Sequence, residues 1–168
     1  MIAKRAFVFL ASASLIVAAS PSAKAETFEQ LQGKSIVYSY VEELTLDNGN
    51  NKRVNSWSGK VYISGNGQIF LRQTFSSSFG NGGSEHSTES FDTVGDRNGV
   101  GQSKRTNYKW DGGGLTRSWQ SGGVQATQSL TISGGRCSFV MERRGLNGAV
   151  VVRSQSCWIV QGNALTAN

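Results

Sequence analysis

The side chains that could do chemistry are few: one histidine, two cysteines and 11 carboxylates accompany 17 cations in 168 residues. His86 lies in Ser84-Glu85-His86-Ser87-Thr88-Glu89-Ser90, and with Asp92 or Asp96 it would supply the base and orienting carboxylate of a serine nucleophile. No nucleophile-elbow motif accompanies it, so a surface histidine is expected. Glu42 with Glu43, or either with Glu142, would give the two carboxylates of a glycoside hydrolase, but adjacent strand residues point to opposite sides. Gly33-Lys34-Ser35 ends like a phosphate-binding loop, yet Phe28 stands where the leading glycine belongs. Gly99-Val100-Gly101-Gln102-Ser103-Lys104 lacks the last glycine of a dinucleotide loop, and Asp47 to Asn51 lacks the closing glutamate of a calcium loop. Two cysteines and one histidine do not make a zinc centre. The expectation is a non-enzymatic chain with no cofactor and no metal.

Whatever chemistry remains must be positioned by short strands. Turn-forming clusters recur at Asp47-Asn48-Gly49-Asn50-Asn51, Gly65-Asn66-Gly67, Gly80-Asn81-Gly82-Gly83, Gly95-Asp96-Arg97-Asn98-Gly99, Asp111-Gly112-Gly113-Gly114, Gly122-Gly123, Gly134-Gly135 and Gly145-Leu146-Asn147-Gly148. Between them lie nine strand-like segments, near residues 35–44, 54–64, 68–75, 86–94, 103–110, 115–120, 124–132, 136–144 and 150–160. Residues 26–32 read as a short helical lead-in. Hairpins that follow one another without long connections predict an all-β, antiparallel up-and-down meander. Closure into a barrel of about 8–10 strands would leave no edge unpaired. A two-sheet sandwich is the alternative.

The hairpin registers decide which side chains share a face. Asn66-Gly67 reads as a two-residue turn, which pairs Ile63 with Phe70 and Val61 with Arg72 and puts Trp57 on that face. A turn at Gly112-Gly113 pairs Trp110 with Leu115, Tyr108 with Arg117 and Thr106 with Trp119. Arg105, Asn107, Lys109, Thr116, Ser118 and Gln120 then take the opposite, polar face, and the aromatic residues the core. A hairpin centred on Asn147 sets Cys137 opposite Cys157, which predicts a disulfide in an exported chain. There Phe139 and Met141 share a face with Arg153, while Val140, Val152 and Trp158 fall on the other, a mixture that a bulge would repair.

Arg72, Arg117 and Arg153 each land on the face of large apolar residues. The expectation is a calyx in which these arginines and Tyr108 hold the anionic head of a small amphipathic ligand. Trp57, Phe70, Trp110 and Trp119 would wall its apolar part. The competing expectation is that the arginines reach water at strand ends, or pair with Glu42, Glu43, Asp92 or Glu142.

Residues 1–25 begin with the cations Lys4 and Arg5, continue through an apolar run from Ala6 to Ala19 and close on Ala23-Lys24-Ala25. This is the pattern of a cleaved secretory signal peptide, leaving residues 26–168 as a single β domain in the periplasm or outside the cell. No later stretch approaches the roughly 20 apolar residues of a membrane helix. Cleavage removes three basic residues and no acidic one, taking the net charge from +6 to +3. The remaining charge is uneven, with 5 basic and 9 acidic groups in residues 26–96 but 9 and 2 in residues 97–168. A basic surface of Arg97, Lys104, Arg105, Lys109, Arg136, Arg143 and Arg144 therefore gives the second expectation, an interaction protein that holds an acidic envelope polymer or protein. An exported chain is not expected to meet nucleic acid.

Leu31-Gln32-Gly33-Lys34-Ser35-Ile36, Val61-Tyr62-Ile63-Ser64 and Ser156-Cys157-Trp158-Ile159-Val160-Gln161-Gly162-Asn163-Ala164 resemble segments of small exported proteins of alphaproteobacteria, rhizobia among them. That resemblance implies export and carries over no catalytic residue. The barrel plan resembles that of lipocalins, although Gly33 is followed by Lys34 and Ser35 instead of the tryptophan usual there.

Overall fold

The computed structural model describes residues 26–46, 49, 51–79, 86–95, 100–103, 106–111, 113–121 and 123–166; at 86–94, 100–103, 106–108, 111 and 121 the description covers the backbone. These residues form one 3-10 turn, Glu29–Leu31, and ten strands. In chain order the strands are β1 (Lys34–Leu46), β2 (Asn51–Ile63), β3 (Ile69–Phe79), β4 (His86–Gly95), β5 (Val100–Ser103), β6 (Thr106–Asp111), β7 (Gly114–Ser121), β8 (Val124–Ser133), β9 (Arg136–Arg144) and β10 (Gly148–Gln161). The segment expected as one strand near 103–110 is two strands, because Val100–Ser103 folds back on Thr106–Lys109 as its own hairpin.

All ladders are antiparallel, and they build two five-stranded sheets, β10-β1-β2-β3-β4 and β5-β6-β7-β8-β9. Consecutive strands pair within each sheet, as a meander requires, and β1 pairs with β10. Among the described residues no ladder joins β4 to β5 or β9 to β10, so the hydrogen bonding makes two sheets and not one closed cylinder. The last hairpin is thus corrected: β9 and β10 follow one another in the chain but belong to different sheets. The Cys137–Cys157 disulfide, with Cα atoms 5.5 Å apart, ties those sheets together.

Two-residue alternation makes each sheet amphipathic. In β1 the side chains of Ile36, Tyr38, Tyr40, Glu42 and Leu44 are buried, whereas Val37, Ser39, Val41 and Glu43 between them are partly exposed. Ile36, Val61 and Leu71 from one sheet meet Leu115, Leu130, Ile132 and Phe139 from the other in a shared core. Tyr38 and Phe139 stack across the two layers at 4.6 Å. Phe28 and Leu31 of the lead-in bury against the same core, and Phe28 meets Trp110 edge-on at 5.1 Å. After β10 the chain crosses the outside of its own sheet, where Ser35 Oγ donates to Gly162 O at 2.7 Å and accepts from Ala164 N–H at 2.9 Å.

No helix among the described residues is long and apolar enough to cross a membrane.

Candidate functional site

The cross-strand registers stack the interior into rows. On the β5–β9 sheet, Trp110, Leu115, Leu130 and Phe139 form one row, and Tyr108, Arg117, Gln128 and Met141 the next. Thr106, Trp119, Ala126 and Arg143 form a third. The expected pairings of Trp110 with Leu115, Tyr108 with Arg117 and Thr106 with Trp119 are all present. On the facing sheet, Tyr38, Gly59 and Gln73 lie side by side, followed by Tyr40, Trp57 and Phe75, then by Glu42, Asn55 and Ser77.

A cavity of about 20 Å³ opens between the sheets, a volume on the scale of one water molecule. Its walls are Val61, Leu71, Leu115, Leu130 and Phe139, and its polar lining is Tyr38, Arg117 and Gln128. Tyr38 lies flat over β2, where Gly59 leaves room for its ring, and its hydroxyl donates to Gln73 Oε1 at 2.6 Å. The Arg117 guanidinium packs over the Trp119 ring at 5.2 Å. Gln128 is only 4% exposed, yet its Nε2 donor meets no acceptor among the described residues. An unmet buried donor costs about 1–3 kcal/mol, so this wall favours any occupant that brings an acceptor.

A second polar cluster was not foreseen. Glu42 is fully buried and takes both terminal nitrogens of Arg143 in a bidentate pair, while Asn55 Nδ2 donates to its Oε1 at 3.0 Å. Arg143 also lies over the Trp57 ring at 5.4 Å. The Tyr40 hydroxyl joins this cluster, and burial first, then the Glu42 charge, raises its pKa above the ordinary tyrosine value, with Arg143 pulling the other way. Alternation held the signal: Phe139, Met141 and Arg143 share one face of β9, as Tyr38, Tyr40 and Glu42 do of β1.

The eight expected ligand residues therefore separate. Trp57 is buried, Trp110 and Trp119 are half-buried on the interior face, and Arg117 lines the cavity. Phe70 and Arg72 are on the outer face instead, because the loop before them has three residues: Val61 pairs with Leu71, Tyr62 with Phe70 and Lys60 with Arg72. There Phe70 stacks on Tyr62 at 6.3 Å, and Arg72 Nη1 donates to Leu165 O at 3.3 Å. Arg153 also faces outward, since the register shift between Val41 and Glu42 makes it the extra residue of a bulge. It pairs at 2.6 Å with Glu43, whose carboxyl this hydrogen bond holds below its ordinary pKa.

Of the expected basic surface, Arg143 is buried on Glu42, while Lys109, Arg136 and Arg144 are exposed. Arg97, Lys104, Arg105 and Asp96 lie outside the described residues, as do the side chains of Tyr108, His86 and Asp92. By register the backbone of His86 stands opposite Ser77. Glu42 and Glu43 point to opposite faces and Glu142 is exposed, so no glycosidase-like carboxylate pair forms from them. No protein-family model, curated protein or solved structure matches the chain.

Proposed function

We propose that this is an exported, non-catalytic binding protein, active in the periplasm or outside the cell. The space between its two sheets takes the anionic head of a small amphipathic molecule. The observation that carries the reading is the buried Gln128 amide donor beside Arg117 and Tyr38 on the wall of a mostly apolar cavity. A carboxylate or similar head supplies the acceptor that the Gln128 amide lacks among the described residues, beside the Arg117 guanidinium on the same wall. Because the present space is small, a bound chain displaces the Tyr38–Phe139 stack. Two facing amphipathic sheets suit this reading, with Phe28 and Leu31 packed into the core they share.

Native mass spectrometry of the oxidised mature protein from its own host, set against a denatured sample, tests the proposal. A small molecule lost on denaturation supports it. Titration with decanoate, followed by tryptophan fluorescence, supplies a defined probe. Gln128→Leu is expected to abolish the response while leaving stability unchanged or raised by about 1–3 kcal/mol, since it removes an unmet donor. A bare wild-type mass together with no decanoate response overturns the reading.

A second reading has an observation of its own, the exposed cations Lys109, Arg136 and Arg144 in the basic half of the chain. They suit an acidic envelope polymer or protein. Salt separates the two readings, because surface pairing weakens as ionic strength rises while a desolvated pocket is screened much less.

A further inference from the structure

Continuous ladders fix which side chains stand together on the outer face of β10, β1, β2 and β3. One row crosses these strands as Trp158, Val37, Lys60 and Arg72, and the next as Ser156, Ser39, Ser58 and Thr74. Alternation turns Trp158 and Ser156 away from Cys157, which lies between them and packs against the core. Adjacent strands lie about 4.8 Å apart, so each row is about 14 Å long. Trp158 is 47% exposed, and Arg72, Ser58 and Thr74 are exposed beside it.

Three kinds of recognition chemistry meet on this surface. The flat Trp158 ring offers an apolar plate on which the C–H face of a sugar ring stacks. Ser39 and Ser156 are joined Oγ to Oγ at 2.6 Å, and hydroxyls, which both donate and accept, match the hydroxyls of a sugar. Lys60 and Arg72 stand in the Trp158 row as cations for a carboxylate. The tail after β10 holds Arg72 in place, since its Nη1 donates to Leu165 O at 3.3 Å. Within these four strands neither row contains Asp or Glu; the second row reaches Glu89 only on β4, opposite Thr74 and at the far edge from Trp158. Four hydroxyls to two cations is too little charge for a nucleic acid, with its phosphate at every step, and suits a chain of sugars with spaced carboxylates. We infer that this face binds an acidic polysaccharide. Trp158 stacks on a sugar ring, Lys60 and Arg72 pair with uronate carboxylates, and the serine row takes the hydroxyls. The inference rests on neither reading above, because this face is turned away from the cavity, and Lys109, Arg136 and Arg144 belong to the other sheet.

Isothermal titration calorimetry of the oxidised mature protein with polygalacturonate, alginate and hyaluronate is the test, with near-ultraviolet circular dichroism confirming that each variant is folded. Wild type is expected to bind at least one of the three, more weakly as salt rises, and to leave uncharged dextran unbound. Trp158→Ala should weaken binding at least about tenfold, and Lys60→Ala and Arg72→Ala several-fold each. Arg136→Ala/Arg144→Ala should bind like wild type. A wild-type protein that binds none of the three overturns the inference, as does binding that Trp158→Ala leaves intact. A loss confined to Arg136→Ala/Arg144→Ala also overturns it and returns the polymer to the basic half of the chain. Tighter, Trp158-dependent binding of oligothymidylate overturns it in favour of single-stranded nucleic acid.

Discussion

Tyr40 sits where burial and ionisation oppose each other. Its hydroxyl is enclosed with the Glu42 carboxylate, and both burial and that charge favour the neutral phenol, so its pKa in the fold lies above the ordinary 10.0. As the pH rises, the unfolded chain therefore gives up this proton before the folded chain does. The stability that Tyr40 contributes is whole below about pH 10 and is lost as the pH climbs through the folded value. Tyr40→Phe should accordingly flatten the fall in unfolding free energy between about pH 9 and pH 11, as followed by urea titration. Identical slopes in the two proteins would place the alkaline sensitivity on other groups. Arg143 tempers the effect because its cation favours the phenolate, so the slope also reports whether the Glu42–Arg143 pair stays closed in solution.

At the scale of elements, one glycine fixes how a strand carries the cavity wall. A Cβ built on Gly59 would lie 2.2 Å from the Tyr38 ring, so any side chain there drives the ring off β2 and away from Gln73. Gly59→Ala is expected to cost about 1–3 kcal/mol, and much less when Tyr38→Ala has already removed the ring. Equal costs in the two backgrounds, measured by denaturant unfolding, would show that the ring is not what Gly59 accommodates. Turns explain why some faces were legible in the sequence and others were not. The register of β6 against β7 was correct, so Arg117 and both nearby tryptophans were placed on the interior side. The turn before β3 misled because Asn66-Gly67 looks like a two-residue loop. Instead Ser64 pairs directly with Gln68, its N–H donating to Gln68 O at 2.9 Å and its Oγ accepting from Gln68 N–H at 2.9 Å. That single residue turns Phe70 and Arg72 outward. The Glu42–Arg143 pair was beyond reach for a different reason: its partners are 101 residues apart on different sheets, and no local pattern pairs them.

For the molecule as a whole, the seam beside β9 is where the two sheets are held by specific bonds and not by a ladder. Among the described residues two links cross it, the Cys137–Cys157 disulfide and the Arg143–Glu42 pair, one towards each end of β9. The disulfide closes a loop with a sequence separation of 20 and contributes about 3 kcal/mol by the chain-entropy estimate. Arg143→Ala leaves a fully buried carboxylate without its cation, at a cost of about 3–5 kcal/mol. Either loss alone is within the roughly 5–15 kcal/mol of a typical domain, but together they exceed its lower end. The Arg143→Ala protein should therefore keep its near-ultraviolet circular dichroism while oxidised and lose it on reduction with dithiothreitol, whereas reduced wild type stays folded. Glu42→Leu/Arg143→Leu, which removes both buried charges at once, should tolerate reduction better than Arg143→Ala, because the damage comes from the stranded carboxylate and not from the missing attraction. If reduced Arg143→Ala retains the native signal, the sheets are joined chiefly by their apolar faces, with the Tyr38–Phe139 stack at their centre, and the seam bonds set alignment more than stability.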